Sequence, residues 1–102
     1  MAVLREFESG NFAGETASGT VLVDFGAPWC SYCRVLNKVL EQTAPEAPES
    51  AVILKVNVDE FPELAAEYSV TTLPTLILFK DGKPSEPKGM LSKTQLLEML
   101  RS

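Results

Sequence analysis

The chain has 102 residues, of which 45% are hydrophobic and 23% charged, and its formal net charge is −5. These values are typical of one globular domain with a single core, and the negative charge argues against nucleic acid or an anionic membrane as a partner. Because histidine is absent, serine–histidine–aspartate triads, cysteine–histidine pairs and histidine-ligated zinc are excluded. With only two cysteines we expect no metal, and zinc held by both cysteines plus carboxylates is the remaining alternative.

The first residues show no charged leader followed by a long apolar stretch, and the apolar runs are too short to cross a bilayer. We therefore expect a cytoplasmic protein without membrane contact. In a reducing cytosol, a close pair of cysteines is more often catalytic than structural.

The first half of the chain predicts two strands, each followed by a helix. Residues 3–7 form a weak strand, and Ser9 or Asn11 caps a short helix after it. Residues 20–25 form a strong strand, which is apolar and β-branched except at one aspartate. A helix over residues 30–43 follows, with an apolar face made of Val35, Leu36, Val39 and Leu40.

The middle of the chain predicts a buried strand and a third helix. Residues 51–58 are largely apolar, which is typical of a strand covered on both faces. Asp59 is the expected cap of the next helix, with Pro62 in the first turn.

The last part of the chain predicts a hairpin and a final helix. Residues 75–79 form a strong strand, and the Asp81-Gly82 pair turns the chain back. A weak strand follows around residues 88–90, and the capping box of residues 92–95 opens the last helix. The order of elements is β-α-β-α-β-α-β-β-α, which predicts an α/β domain with a mixed sheet covered by helices.

The two cysteines, Cys30 and Cys33, lie where the strand of residues 20–25 passes into the following helix. The first turn of a helix has unpaired N–H groups and the positive end of the macrodipole, and both favour a thiolate. We therefore predict that Cys30 is the nucleophile and that Cys33, one turn further on, is close enough to form a disulfide with it. A fixed structural disulfide or an idle pair is the alternative.

Asp24 is the one charged residue of that strong strand. Because side chains alternate along a strand, Leu22 and Asp24 point to the face opposite their neighbours. Both faces of a central strand should be covered, so we expect Asp24 to be buried and its pKa to be raised, which suits proton exchange near neutral pH. An edge aspartate in solvent is the alternative.

Taken together, these features resemble the thioredoxin family over nearly the whole chain. The matching motifs, in the family's order, are Val23-Asp24-Phe25, Trp29-Cys30-x-x-Cys33, Lys55 within Leu54-Lys55-Val56-Asn57-Val58-Asp59, Leu73-Pro74-Thr75, and Gly89-Met90-Leu91-Ser92-Lys93. The resemblance implies a thioredoxin fold over residues 1–102. This fold has three α/β/α layers with a central mixed sheet of about five strands flanked by four helices.

The resemblance also implies roles for individual residues. It implies that Asp24 serves Cys33 through water, with Lys55 nearby, although Lys55 alone would be a strand residue whose ammonium group reaches the surface. It implies a cis bond before Pro74, where a trans proline that starts a strand is the ordinary alternative. Trp29 is expected to pack beside the motif and shield the thiols. The implied substrate-binding surface consists of Trp29, Ser31, Tyr32, Leu73, Pro74, Gly89 and Met90.

The chain departs from the family pattern next to these residues. Ser31 and Tyr32 replace the usual Gly-Pro pair, which frees a backbone N–H and adds a hydroxyl donor near Cys30. We expect these donors to stabilise the thiolate and to make the protein less strongly reducing. Gly26 replaces a tryptophan, and Lys38 replaces a proline that kinks the family's helix, so we expect a straighter helix.

The resulting prediction is a dithiol–disulfide oxidoreductase that reduces disulfide-containing proteins through a mixed disulfide at Cys30, which Cys33 resolves. The resemblance implies that a flavin- and NADPH-dependent thioredoxin reductase supplies the electrons and that the chain itself binds no cofactor. We expect a monomer. One alternative is a glutaredoxin-like, oxidase or isomerase activity with a less reducing potential. The other is a non-catalytic binding module with a thioredoxin fold.

Overall fold

The computed structural model describes all residues from 1 to 102. A single mixed sheet forms its middle layer, with strands β1 (Val3–Glu6), β2 (Thr20–Gly26), β3 (Val52–Asn57), β4 (Thr75–Lys80) and β5 (Lys83–Pro84). The spatial order is β1-β3-β2-β4-β5, in which β1, β3 and β2 are parallel and β4 and β5 are antiparallel additions. The predicted mixed sheet is therefore confirmed, with β2 and β3 near its centre.

Four α-helices cover the sheet, namely α1 (Phe12–Thr16), α2 (Ser31–Thr43), α3 (Pro62–Glu67) and α4 (Lys93–Arg101). A short 3₁₀ turn over Ala44–Glu46 follows α2. Two predicted caps are confirmed, since Asn11 accepts a hydrogen bond from the Gly14 N–H, and Ser92 and Gln95 form a reciprocal capping box. No helix is both long enough and apolar enough to cross a bilayer.

The core has one part on each face of the sheet. Helices α2 and α4 pack on an aliphatic cluster that includes Leu22, Leu36 and Leu96. On the other face, α1 and α3 cover an aromatic cluster built around Phe12, Phe25 and other rings. The alternation predicted for β2 holds, because Leu22 contributes to the first cluster and Phe25 to the second. The three-layer thioredoxin fold is thus confirmed.

Two predictions for the helices are wrong in detail. Asp59 does not cap α3; Phe61 occupies the cap position without a side-chain hydrogen bond, and Asp59 lies in the turn before it, where its N–H is bound by the Asn57 side chain. Val35 does not belong to the buried face of α2 and is 53% exposed. The buried stripe follows Cys33, Leu36, Leu40 and Thr43, and Val35 lies beside it. Helix α2 continues without interruption past Lys38.

The last hairpin also differs from the prediction. Asp81 and Gly82 both have positive φ angles, 49° and 86°, as a two-residue hairpin turn requires. Lys83 therefore pairs with Lys80 directly after the turn, so the strand lies at Lys83–Pro84 rather than around residues 88–90. The ladder ends at Ser85, whose N–H still donates to the Leu78 carbonyl oxygen at 2.8 Å, whereas the Leu78 N–H donates to the Ser85 hydroxyl instead of to a backbone carbonyl. Further on, Lys88 makes only an isolated bridge to Leu76.

Candidate active site at the start of helix α2

The two cysteines lie at the start of helix α2, after the short loop that follows strand β2. Cys30 is the N-cap residue of the helix, with extended backbone angles, and its Sγ accepts a hydrogen bond of 3.1 Å from the Cys33 N–H. Both thiols are free and largely buried, with 7% of Cys30 and 3% of Cys33 exposed. A hydrogen bond donated to sulfur at the positive end of a helix stabilises negative charge on that sulfur.

The loop before the cysteines is fixed from two directions. The Arg34 guanidinium donates to the Pro28 carbonyl oxygen at 2.8 Å, and the Trp29 indole N–H donates to the Asp59 carboxylate at 2.8 Å. Trp29 is 66% exposed, so it is not a core residue. It stands at the surface, with its polar edge attached to the turn before α3.

Asp24 is buried, as expected, with 2% of the residue exposed. It lies opposite Lys55 in the register of β2 and β3, and its Oδ1 has no hydrogen-bond partner. Burial raises the pKa of Asp24 to about 6, and the charge of Lys55 opposes this rise. The carboxyl group therefore changes its protonation state close to neutral pH.

Cys33 is the second titratable group of the site. Its pKa is raised well above the ordinary value, first by burial, then by its hydrogen bond to Cys30 and by the charges of Cys30 and Asp24. Cys33 also lies against Gly26, where a Cβ atom would be 3.2 Å from its Sγ and 3.9 Å from Asp24 Oδ1. The absence of a side chain at residue 26 therefore leaves space between the thiol and the carboxyl group.

This space is part of a cavity of about 210 Å³. Cys33, Arg34 and Asn37 line it from helix α2, and Asp24, Gly26 and Lys55 are among its lining residues from the sheet. The cavity thus brings together three of the four predicted catalytic residues, and the Cys33 N–H connects the fourth, Cys30, to them. Nowhere in the chain do three or more His, Cys, Asp or Glu side chains form a group that would hold a metal ion.

The predicted substrate-binding residues come from three parts of the chain: the cysteine motif, the segment before β4 and the segment after Lys88. The bond between Leu73 and Pro74 is cis, and the backbone N–H and C=O of Leu73 make no backbone hydrogen bond. Two hydrogen bonds between Leu76 and Lys88, of 2.7 and 2.8 Å, hold the chain before Gly89 and Met90 beside the start of β4. The exposed members of this surface are Trp29, Ser31, Tyr32, Gly89 and Met90.

The two extra donors expected from the Ser31-Tyr32 pair do not contact the nucleophile. The hydrogen bond received by Cys30 Sγ comes from the Cys33 N–H, and neither the Ser31 hydroxyl nor the Tyr32 N–H adds another. Both side chains are exposed, because the first turn of α2 directs them away from the sheet. The structure therefore contains no hydrogen bond through which this pair would stabilise the thiolate.

Sequence reasoning missed three residues that shape the site, namely Arg34, Asn37 and Asp59. Arg34 and Asp59 hold the loop through contacts that depend on tertiary structure and leave no periodic signal. Asn37 did carry a signal, because it follows Cys33 by four residues and i, i+4 positions share a helix face. A polar residue on the face of a reactive thiol would have marked this cavity.

Comparisons with known proteins agree with this geometry. The family model for thioredoxin matches residues 3–102. A thioredoxin from Chlamydia trachomatis is 50% identical over 91 residues, which cover 88% of each chain. A thioredoxin from Staphylococcus epidermidis is 44% identical over 101 residues, which cover 98% of this chain and 96% of the relative.

A solved structure shows the same architecture. A single-site mutant of thioredoxin from Halobacterium salinarum NRC-1 superposes with a TM-score of 0.83 at 31% identity, over 98% of this chain and 88% of that one. The strand order, the cysteine pair at the start of α2 and these similarities lead to one assignment. The chain belongs to the thioredoxin family and is a thiol–disulfide oxidoreductase.

Proposed function

We propose that this oxidoreductase works as a protein-disulfide reductase, with Cys30 as nucleophile and Cys33 as resolving thiol. The observation that carries the proposal is the hydrogen bond from the Cys33 N–H to Cys30 Sγ at the N-cap of α2. The Cys30 thiolate attacks one sulfur of a substrate disulfide, forms a mixed disulfide and releases the other sulfur as a thiolate. Cys33 then attacks Cys30 Sγ, which releases the second substrate thiolate and leaves a Cys30–Cys33 disulfide.

The second step requires that Cys33 lose its proton. Burial raises the pKa of Cys33 well above neutrality, so the thiol keeps its proton until a base accepts it. Asp24 is suited to be that base, because its pKa of about 6 leaves it mostly ionised at neutral pH. Lys55 is proposed to keep the carboxylate charged by opposing the effect of burial.

We propose that the substrates are disulfide-containing proteins that present an extended segment to Leu73. The unpaired N–H and C=O of Leu73 suit backbone hydrogen bonding to such a segment, and the exposed rings of Trp29 and Tyr32 offer apolar contact beside the thiols. Pro74, Ser31, Gly89 and Met90 complete the proposed surface.

The electron supply and setting follow from the family assignment. A flavin- and NADPH-dependent thioredoxin reductase is proposed to reduce the Cys30–Cys33 disulfide, so that this chain binds no cofactor of its own. We propose a cytoplasmic monomer without nucleic acid or membrane partners, consistent with the net charge of −5.

Insulin reduction coupled to NADPH and a thioredoxin reductase tests the proposal. We expect the protein to turn over, Cys30→Ser to abolish turnover, and Cys33→Ser to accumulate mixed disulfides with substrate. Ser50→Ala is the matched control, since Ser50 is exposed in the turn before β3 and lies outside the proposed site, and it should retain activity. Turnover only with glutathione and glutathione reductase would replace the proposal by a glutaredoxin-like function. Firm partner binding by Cys30→Ser without any wild-type turnover would indicate a binding module.

The Ser31-Tyr32 pair gives the second candidate function, an oxidase or isomerase with a less reducing potential. Equilibration of the cysteine pair with glutathione measures that potential. Because neither residue of the pair donates to Cys30 Sγ, we expect a reducing potential in the range of reductases, near roughly −270 mV rather than near roughly −180 mV or −120 mV. A value close to the latter two would favour oxidation or isomerisation.

A further inference from the structure

Two buried side-chain atoms of the chain have no hydrogen-bond partner, Asp24 Oδ1 and Asn37 Oδ1. Both residues line the same cavity of about 210 Å³. A buried acceptor without a partner costs about 1–3 kcal/mol, so two of them around one cavity point to a common donor. We propose that Asn37 is a positioning residue that, with Asp24, holds water in this cavity and so connects Asp24 to Cys33 and to the solvent. The catalytic part of this inference, the proton transfer from Cys33, rests on the proposed function.

The two unpartnered atoms do not satisfy each other. An ionised carboxylate and an amide oxygen are both acceptors, and neither supplies a proton to the other. Water supplies two donors and bridges such groups when the cavity is polar and large enough, and each molecule needs roughly 30 Å³ of liquid volume. A cavity of about 210 Å³ meets this requirement.

The other polar groups of the cavity determine where such water lies. Lys55 lies opposite Asp24 on β3. Arg34 and Cys33 line the cavity from α2, and Glu6 lines it from the end of β1. Arg34 is already bound to the Pro28 carbonyl oxygen through one of its nitrogens. Two amides line the cavity, and Asn57 is already bound to Glu60 and to the Asp59 N–H. Asn37 is therefore the amide that is left to hold water, and it adds no second negative charge near Asp24.

The position of Asn37 on α2 explains how it acts on the thiol chemistry. It follows Cys33 by four residues, so the two side chains are neighbours on the helix face that meets the cavity. Water held by Asn37 relays the proton from the Cys33 thiol to Asp24, and then from Asp24 toward solvent. Gly26 makes this possible, because a larger side chain there would crowd Cys33 Sγ and occupy the space near Asp24 Oδ1.

The test compares Asn37→Leu, which replaces the polar side chain by an apolar one, with Asn37→Ser, which keeps an oxygen and leaves room for water. Gln42→Leu is the matched control, because it makes the same kind of change on the exposed part of the same helix. Two quantities are measured in each variant: the pKa of Asp24 by carboxyl ¹³C NMR, and single-turnover rates for mixed-disulfide formation and for its resolution.

Asn37→Leu should raise the pKa of Asp24, because it deepens the desolvation of the carboxylate. It should slow resolution by about tenfold, less than the ~10²–10⁴-fold effect of removing a general base itself. Mixed-disulfide formation by Cys30 should be unchanged, and Asn37→Ser and Gln42→Leu should match the parent protein.

An unchanged Asp24 pKa and resolution rate in Asn37→Leu would overturn the inference. Equal changes in Asn37→Leu and Gln42→Leu would overturn it too, because they would indicate a general disturbance of α2. The NMR measurement also separates this inference from the proposed function. If the parent protein fails to reduce protein disulfides while Asn37→Leu still shifts the pKa of Asp24, the function fails and the link between Asn37 and Asp24 stands.

Discussion

Leu22 and Asp24 lie two residues apart on strand β2, point to the same face of the sheet and are buried to the same degree, with 0% and 2% exposed. Their neighbours on β3 differ in polarity as they do themselves: Leu22 lies opposite Ile53, and Asp24 lies opposite Lys55. Burying an aliphatic side chain stabilises the fold by about 1.5–3 kcal/mol. Burying the carboxyl group instead raises its pKa to about 6, which costs stability once the group is charged.

Helix α2 shows the same division between two neighbouring stripes of side chains. Leu36 and Leu40 belong to the aliphatic cluster, whereas Cys33 and Asn37 line the cavity beside Asp24. This layer thus has two parts. The aliphatic end, with Leu22, Leu36 and Leu40, holds the fold together, and the chemical end, with Asp24, Cys33 and Asn37 around the cavity, holds and moves protons. Equal burial therefore serves stability or chemistry according to the residue that is buried.

The largest expected effect on stability comes from a substitution in the aliphatic end. Leu36→Ala removes a fully buried side chain and should lower the free energy of unfolding by about 2–5 kcal/mol, through lost burial and a new cavity. The loss should be the same at pH 4 and pH 8, because no titratable group is involved. Urea denaturation at both pH values measures it.

The exposed neighbour Val35 provides the matched control for Leu36→Ala. Val35→Ala, at a position that is 53% exposed, should change stability by no more than about 0.5 kcal/mol. Equal losses in the two variants, or a loss in Leu36→Ala that depends strongly on pH, would contradict the separation of the two ends.

The aliphatic end was largely predictable from the sequence. Alternation along residues 20–25 correctly assigned Leu22 and Asp24 to one face, and helical spacing identified Leu36 and Leu40. It failed at Val35, because four apolar residues fit a helical stripe equally well until the packing partners are known. Local patterns therefore predict burial, but they do not decide between competing helix faces.

The chemical end was predictable in part. The spacing of Cys30 and Cys33 and the charge of Asp24 within an apolar strand are local signals, and both led to the site. The Trp29–Asp59 hydrogen bond and the space next to Gly26 join segments that are distant in sequence. Such contacts exist only after the sheet and α2 have packed, so no local pattern shows them.

The second prediction concerns the charge on Asp24. Because the folded pKa is about 6 and the ordinary value 3.8, the native state binds the proton more tightly than the unfolded chain does. The associated stability is fully present below about pH 4 and is lost as the pH rises through about 6, by roughly 3 kcal/mol in total. Asp24→Asn stays neutral, so it should exceed the parent protein by roughly this amount at pH 8 and show no such advantage at pH 3.5.

Unfolding free energies of the parent and Asp24→Asn proteins between pH 3.5 and pH 8 test this prediction. The exposed Glu86 gives the control, since Glu86→Gln should follow the pH profile of the parent protein. A stability difference between Asp24→Asn and the parent that stays constant with pH would contradict the prediction. The same variant should slow the resolution of mixed disulfides, which would show that stability and activity conflict at this residue.

The smallest expected effect comes from Lys55, which opposes the effect of burial on Asp24. Lys55→Met removes that charge, so the pKa of Asp24 should rise further above its ordinary value, as carboxyl ¹³C NMR would show. At pH 8 the variant should lose about 1 kcal/mol of stability because the carboxylate is then uncompensated, whereas at pH 4 the loss should vanish because Asp24 is neutral. Lys38→Met, on the exposed face of α2, should leave the pKa of Asp24 unchanged. If both variants shifted this pKa equally, it would be set by the net charge of the protein and not by the pairing of β2 with β3. The properties of the chemical end would then not arise from its own residues.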